Sequence, residues 1–224
     1  NKKVCVVGAG NWGANHIRVL NAMGSLGGIV DSDQLRIQHL RKIHKNIAFY
    51  YNVSDSFKDS FDGYIVATPA ATHFQIAKII IQNRSHVLVE KPLALNVKDA
   101  SKLNELAQEN EINLMVGHLL LFHPAILTIK QMISDGAIGE LQYLYSNRLN
   151  LGTIRSEENI LWSFAPHDIS IFQFLIKKFP IEVLSRGGCF VQTDLHDTTM
   201  TVLQYPKNII GHIFVSWLHP FKEH

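Results

Sequence analysis

Two short segments in the first hundred residues combine residue types and spacings that can do chemistry. The turn Gly8-Ala9-Gly10-Asn11-Trp12-Gly13 follows the apolar run Val4–Val7, and the tripeptide Glu90-Lys91-Pro92 follows the apolar run Val87–Val89. A glycine turn between a strand and a helix can hold a pyrophosphate, and a lysine at the end of a strand can exchange a proton with a bound ligand. Together they indicate a dehydrogenase that uses a dinucleotide.

The glycine turn has the spacing of a dinucleotide-binding fingerprint. Gly8 permits the tight turn, Gly10 lets the backbone approach the phosphates, and Gly13 lets the next helix pack closely against the strand. That helix begins near Asn11 and Trp12, where free N–H groups and the helix dipole favour an anion. We therefore predict that these five residues contact the cofactor. The alternative is a purely structural glycine turn.

An acidic residue ends the next apolar run. Asp31 follows Gly28-Ile29-Val30 and comes roughly 20 residues after the turn, where a carboxylate accepts bonds from the adenosine ribose. A carboxylate there repels a 2′-phosphate, so the sequence predicts NAD rather than NADP. Arg36 and Arg41 lie nearby and leave NADP as the less favoured alternative. The alternative interpretation is that Asp31 is an ordinary loop residue without a role in binding.

Lys91 is the predicted proton acceptor. At the carboxyl edge of a parallel sheet it would lie beside the cofactor crevice. A desolvated ammonium next to a nicotinamide cation loses its proton more readily than one in water, which suits a general base. Pro92 restricts the backbone of the turn. The alternative is a lysine whose only partner is the preceding Glu90.

Composition limits the classes of function. Of the 224 residues, 46% are hydrophobic and 18% are charged, as in ordinary globular proteins of one or two domains. A net charge of +2 gives no reason to expect nucleic acid or a membrane as partner. Cys5 and Cys189 are too few for a disulfide framework, and neither a signal peptide nor a membrane-length apolar run is evident. We therefore expect a cytoplasmic protein. Because the histidines lack metal-ligand spacing, we expect no metal site.

The pattern of apolar residues changes near residue 118. Before it, strand-like and helix-like segments alternate, which predicts a Rossmann-type parallel α/β domain over residues 1–118. After it, the pattern predicts an α+β domain with a mostly antiparallel sheet over residues 119–224, and we expect the native chain to continue beyond His224. The predicted strands are residues 3–7, 27–31, 47–51, 63–67, 86–90, 113–117, 140–151, 181–192, 197–205 and 208–218.

The predicted helices have recognisable first residues. Thr72 and Asn96 are predicted N-caps of two helices in the first domain. In the second domain one helix is predicted from Pro124 to Ser134, and a strongly apolar one from about Pro166 to Lys178.

Several motifs along the whole chain resemble the glucose–fructose oxidoreductase / inositol dehydrogenase / MocA family of two-domain dehydrogenases. The Glu-Lys-Pro element, at its distance from the glycine turn, is the specific one. The matching segments are Val4–Gly13, Val66-Ala67-Thr68-Pro69 with Thr72-His73, Glu90-Lys91-Pro92-Leu93, and Val116-Gly117-His118 with His123-Pro124. A further stretch, Asn147–Gly152 with Trp162 and Ala165-Pro166-His167-Asp168, is similar to the branch that oxidises C3 of UDP-N-acetylated sugars.

The resemblance implies that Lys91 and His167 are the catalytic residues. The chain departs from the family pattern at two places. The usual Asp-x-x-x-His has Ser163 at the aspartate position, which argues against a carboxylate-assisted mechanism. The usual glycine before the lysine strand is replaced by Asn83-Arg84-Ser85, where Asn83 is the candidate for a positive φ.

The remaining candidates are ligand contacts. Thr68, Pro69, His73 and Glu90 are expected near the cofactor, although a surface helix cap is the favoured interpretation of His73. Asn and Arg side chains can bond sugar hydroxyls or a diphosphate, and tryptophan can stack on a sugar, but each is also a common sheet or core residue. The candidate substrate ligands are His118, Asn147, Arg148, Trp162, His167 and Asp168.

These observations predict an NAD-dependent dehydrogenase of a polyol or a sugar. The resemblance implies that hydride is taken from C3 of a UDP-N-acetylhexosamine or its uronate. The alternatives are an inositol or free-sugar dehydrogenase and a non-catalytic NAD-binding sensor. An apolar face on the second sheet would be a liability in a monomer, so we also expect a homo-oligomer.

Overall fold

The structure, a computed structural model, describes residues 2–151 and 158–222. Gly152 and His224, which enter the expectations above, lie outside the described residues. The chain divides into two compact units, and the division falls between Gly117 and His118. Among the described residues, no helix is long and apolar enough to cross a membrane.

The first unit is a six-stranded parallel sheet with helices on both faces. Its strand order is β3-β2-β1-β4-β5-β6, the order of a Rossmann fold. All six predicted strands are present. In chain order the elements are β1 Val4–Val7, α1 Asn11–Ala22, β2 Leu26–Val30, α2 Gln34–Ile43, β3 Ala48–Tyr50, β4 Gly63–Val66, α3 Ala70–Gln82, β5 Val87–Val89, α4 Val97–Glu109 and β6 Leu114–Val116.

Each face of this sheet has its own apolar core, because successive side chains along a strand point to opposite faces. Val6 packs with Ile17 of α1 and Ile37 of α2 on one side. Val7 packs on the other side with Ile80 of α3 and, in the same cluster, residues of α4. Successive strand side chains point to opposite faces, so strands buried on both faces are continuously apolar.

The helix starts follow the predictions in part. The Asn96 side chain caps α4 by accepting the N–H of Asp99 at 2.9 Å. The predicted cap at Thr72 is wrong, because α3 begins at Ala70 and the Thr72 hydroxyl lies 2.8 Å from the carbonyl oxygen of Pro69. At the end of α3 the positive φ, 54°, falls on Arg84 rather than on Asn83.

The second unit is a four-stranded sheet with helices. Its strand order is β7-β10-β9-β8, with β8 and β10 antiparallel to β9, and β7 parallel to β10. The sheet is therefore mostly antiparallel, as predicted, although its first strand joins in the parallel sense. The elements are α5 Pro124–Ser134, β7 Tyr143–Leu149, α6 Ile160–Ile176, β8 Glu182–Gly188, β9 Thr198–Gln204 and β10 Ile210–Ser216.

Helix α6 starts earlier than predicted. It begins at Ile160, where the side chain of Asn159 accepts the N–H of Trp162 at 3.1 Å, and it continues through Pro166. Sequence patterns place proline at a helix start because its missing N–H costs least there. His167 therefore lies inside the helix and does not open it. The helix packs on one face of the sheet, with Phe172 in the same core as Ile213.

Candidate functional site

The glycine turn joins β1 to α1 at the carboxyl edge of the parallel sheet. Gly8 has a φ of +91°, and a Cβ added to it would lie 2.8 Å from the carbonyl oxygen of Ala67. A Cβ on Gly13 would lie 1.8 Å from the carbonyl oxygen of Gly8. A Cβ on Gly10 would meet nothing within 4 Å. The first and third glycines are therefore required by the turn and by helix packing, and the second leaves open space beside the backbone.

That open space lies at the first turn of α1. Gly10 is the N-cap and has no side chain to bond the N–H groups of the helix, while Asn11 and Trp12 are exposed. Backbone donors and the helix dipole suit an anion at this point. The turn therefore fits the pyrophosphate of a dinucleotide.

Asp31 follows β2 and is held by the glycine turn. Its Oδ2 accepts the N–H of Ala9 at 2.7 Å, and its Oδ1 accepts the N–H of Asp33 at 2.9 Å. One terminal nitrogen of Arg36 lies 3.0 Å from each carboxylate oxygen. Burial by itself raises the pKa of Asp31, but the two backbone bonds and the Arg36 guanidinium outweigh it, so that the pKa lies below its usual value. The carboxylate is ionised and close to the turn, as a ribose acceptor must be.

Glu90, directly after β5, is a buried carboxylate tied to α1. Its Oε1 lies 2.7 Å from Nε2 of His16, and the indole of Trp12 also bonds it. Burial raises the pKa of Glu90, but the bonds from His16, Trp12 and the Lys91 backbone N–H lower it below its usual value. A Cβ on Gly117 would lie 3.0 Å from this carboxylate, so the end of β6 packs against it.

His16 was not a candidate in the sequence analysis. It stands four positions after Trp12 on α1, a spacing that places both side chains on the same face of the helix. This spacing was the available signal, but nothing in the sequence identified Glu90 as their common partner.

Lys91 is the second residue after β5 and follows Glu90, and its peptide bond to Pro92 is cis. The carbonyl oxygen of Pro92 lies 2.7 Å from Nδ1 of His73. Nε2 of the same ring lies 2.8 Å from the carbonyl oxygen of Thr68, at the end of β4. The ring is 1% exposed, so the interpretation of His73 as a surface cap is wrong. His73 joins the Thr68-Pro69 segment to the Lys91-Pro92 segment through backbone contacts.

In the second unit, Asp168 is the buried centre of a cluster on α6 and β7. Its carboxylate accepts hydrogen bonds from Nε and one terminal nitrogen of Arg148, both at 2.9 Å. It also accepts a bond from the hydroxyl of Ser146 at 2.6 Å. Such a two-point pair is among the stronger hydrogen-bond arrangements. The structure thus brings Arg148 and Asp168 together as partners of one another. Asn147 lies between Ser146 and Arg148 in the strand, so it points to the other face of the sheet.

The other candidates of this unit lie on or before α6. His167 is half-buried inside the helix, and its carbonyl oxygen accepts the hydroxyl of Ser170 at 2.7 Å. Ser163 is buried one turn earlier, and Trp162 is exposed on the first turn. His118 precedes the short helical turn Leu119–Phe122. Among the described residues, no three His, Cys, Asp or Glu side chains are grouped as metal ligands.

Comparison with known proteins covers both units. The model of the oxidoreductase family with an NAD-binding Rossmann fold, GFO_IDH_MocA, matches residues 2–118. The model of the GFO/IDH/MocA C-terminal domain matches residues 126–224.

Three relatives illustrate the range. The UDP-N-acetylglucosamine 3-dehydrogenase of Acidithiobacillus ferrooxidans is 28% identical over 88% of this chain, which spans 62% of that protein. Its crystal structure matches with a TM-score of 0.87 at 26% identity, over 98% of this chain and 71% of that one. Inositol 2-dehydrogenase 1 of Saccharopolyspora erythraea is 26% identical over 90% of this chain and 63% of its own.

The third is the WlbA dehydrogenase of Bordetella pertussis, solved with NADH and UDP-GlcNAcA. It matches with a TM-score of 0.90 at 20% identity, over 100% of this chain and 69% of that one, and shows the same fold. The matches of both family models, on a Rossmann sheet whose glycine turn fits a dinucleotide, lead to one conclusion. The chain belongs to the GFO/IDH/MocA family of NAD-binding oxidoreductases.

Proposed function

We propose that this protein is an NAD-dependent dehydrogenase that oxidises a secondary alcohol of a sugar, namely C3 of a UDP-N-acetylhexosamine or its uronate. One observation carries the catalytic part. Lys91 is the second residue after β5, at the same edge of the parallel sheet as the glycine turn after β1. The similarity to UDP-N-acetylglucosamine 3-dehydrogenase supports the nucleotide-sugar substrate.

The first unit offers the contacts that a bound dinucleotide requires. The backbone at Gly10 and the first turn of α1 would receive the pyrophosphate, and Asp31 would receive the adenosine ribose. Thr68 and Pro69, after β4, would pass beside the cofactor. Bound NAD supplies the acceptor for the hydride of the substrate carbon.

Lys91 supplies the base in this proposal. Its Nζ takes the hydroxyl proton while the carbon loses hydride, so that the alcohol becomes a ketone and the lysine becomes an ammonium. The neighbouring carboxylate of Glu90 is bonded to His16 and Trp12 of α1. These bonds fix the backbone from which Lys91 extends. His167 is proposed as a second group that orients the substrate or shares the proton, and it is tested separately.

A second candidate is a dehydrogenase of inositol or of a free sugar. The similarity to inositol 2-dehydrogenase 1 favours it at nearly the same level of identity. Such a substrate has the same secondary alcohol but lacks the diphosphate.

The deciding experiment is an assay of NADH formation with purified protein and four substrates. These are UDP-N-acetylglucosamine, its uronate, free N-acetylglucosamine and myo-inositol. Turnover with the UDP-sugars at much lower concentration than with the free polyols supports the proposal, and the reverse order supports the second candidate. Binding of NAD without turnover of any secondary alcohol would contradict catalysis and indicate a sensor.

A further inference from the structure

All the usual acceptor positions of the Asp31 carboxylate are occupied by the protein itself. An ionised carboxylate has about four lone-pair sites, two on each oxygen. Oδ1 accepts the N–H of Asp33 and a terminal nitrogen of Arg36, and Oδ2 accepts the N–H of Ala9 and the same nitrogen. Two ribose hydroxyls therefore compete with donors that are already in place.

Only one of these donors can leave without moving the backbone. Ala9 lies between the first two glycines of the turn, and the N–H of Asp33 directly precedes α2. Arg36 contributes a side chain that is 42% exposed. Because this side chain is long and partly in water, it can rotate away from Asp31 without a shift of the backbone. A ribose that binds Asp31 would therefore displace Arg36, whose guanidinium has a second partner in Asp33.

The local charges make that guanidinium important. Arg36 also lies 3.4 Å from Oδ2 of Asp33, so that one cation serves two carboxylates. A 2′-phosphate without Arg36 would face two negative charges. With Arg36 it would meet a planar fork of donors, the arrangement that suits phosphate best.

We propose that Arg36 is a specificity-determining residue that lets the site accept NADP as well as NAD. The inference rests on the proposed use of a nicotinamide dinucleotide. With NAD, Arg36 yields Asp31 to the ribose hydroxyls. With NADP, Arg36 pairs with the 2′-phosphate and screens it from Asp31 and Asp33.

The test is calorimetric titration of NAD and of NADP into the wild type, Arg36→Gln, Arg36→Lys and Arg41→Gln. Arg41 is the matched control, because it lies on the same helix with its guanidinium 5.5 Å from the Phe49 ring. In the wild type the dissociation constant for NADP should lie within about tenfold of that for NAD. Arg36→Gln should raise the ratio of the NADP constant to the NAD constant about tenfold or more, as expected for lost bonds to a charged group. Arg36→Lys should fall between these, and Arg41→Gln should match the wild type.

An unchanged ratio in Arg36→Gln, or an equal change in Arg41→Gln, would overturn the role of Arg36. Failure of the wild type to bind NADP while it binds NAD would overturn the dual acceptance. Failure to bind either nucleotide would contradict the proposed function together with this inference. The ratio is measured by binding alone, so it decides the role of Arg36 whether or not a substrate is turned over. Thermal unfolding of each variant confirms that the fold is retained.

Discussion

Nε2 of His16 lies 2.7 Å from Oε1 of Glu90, and this contact joins the helix behind the glycine turn to the segment that carries Lys91. The Glu90 side chain is 9% exposed. A buried carboxylate that loses a partner keeps its desolvation cost, so the loss of such a contact destabilises the fold more than the loss of a surface ion pair does.

Glu90→Gln should lower the free energy of unfolding by about 1–3 kcal/mol, because bonds to an ionised group become bonds to a neutral one. Urea unfolding measures this. Glu105→Gln on α4 is the control, because its partner Lys102 is half exposed and lies 3.3 Å away. The control should change by less than about 0.5 kcal/mol. Equal losses in the two variants would contradict the structural role of Glu90.

Stability should fall in acid because of Glu90 and Asp31. Both have a pKa below the usual value in the folded protein. Their contribution is therefore complete above the unfolded pKa, which is about 4 for such groups, and is lost as the pH falls through the lower folded pKa. The urea midpoints of unfolding, measured as the pH is lowered through about 4, should fall more steeply for the wild type than for Glu90→Gln. Parallel curves would contradict the assignment to Glu90.

Asp31→Ala should weaken NAD binding and reduce discrimination against NADP. The variant loses the ribose acceptor and the negative charge from which Arg36 has to screen a 2′-phosphate. Titration with both nucleotides measures the two effects. A variant that keeps wild-type affinity for NAD and the wild-type preference between the nucleotides would show that the ribose lies elsewhere.

Lys91→Met should abolish most turnover and preserve NAD binding. Loss of a general base costs a factor of about 100 to 10,000 in rate, while methionine keeps much of the volume of the lysine stem. Steady-state rates and NAD titration on the same preparation give both quantities. Near wild-type turnover would exclude Lys91 as the base, and lost NAD binding would make it a structural residue.

His167→Asn separates two roles for the histidine. A loss of rate much smaller than that of Lys91→Met indicates orientation of the substrate. A loss of similar size indicates that His167 shares the proton.

The protein should self-associate through the sheet face that α6 leaves uncovered. Cross-strand pairing places Tyr145, His212, Val202 and Leu184 in one row on that face, and Tyr145 is 68% exposed. A second copy would cover this row. Sedimentation should show an oligomer at micromolar concentration that Tyr145→Asp dissociates. Phe179→Asp, at an exposed site outside the strands, should leave it unchanged. A monomeric wild type would contradict the prediction.

The Rossmann half was predictable because its signals are local. Each strand is a short apolar run such as Val87–Val89, and glycines mark the turn that joins strand to helix. Asn96 was a recognisable cap because the cap and its partner are three residues apart. Such contacts follow from spacing alone.

The missed features depend on residues that are distant in sequence. His16 and Glu90 meet only after β1 and β5 enter the same sheet, and Arg148 meets Asp168 only after α6 packs on β7. The early start of α6 before Pro166 was missed for another reason. Proline weakens a helix locally, but the core formed by Ile160 and Phe172 stabilises it on both sides of the proline.

The parallel pairing of β7 with β10 has a consequence for the order of folding. These strands are neighbours in the sheet, but α6, β8 and β9 separate them in the chain. During synthesis β7 emerges first of these strands, and among the described strands its partner β10 is completed last. Until then its backbone edge and Tyr143 and Tyr145 are open to other chains, the situation in which sheet proteins aggregate. The pairing of β7 with β10 is therefore a late, long-range event that should limit the folding rate of the second unit.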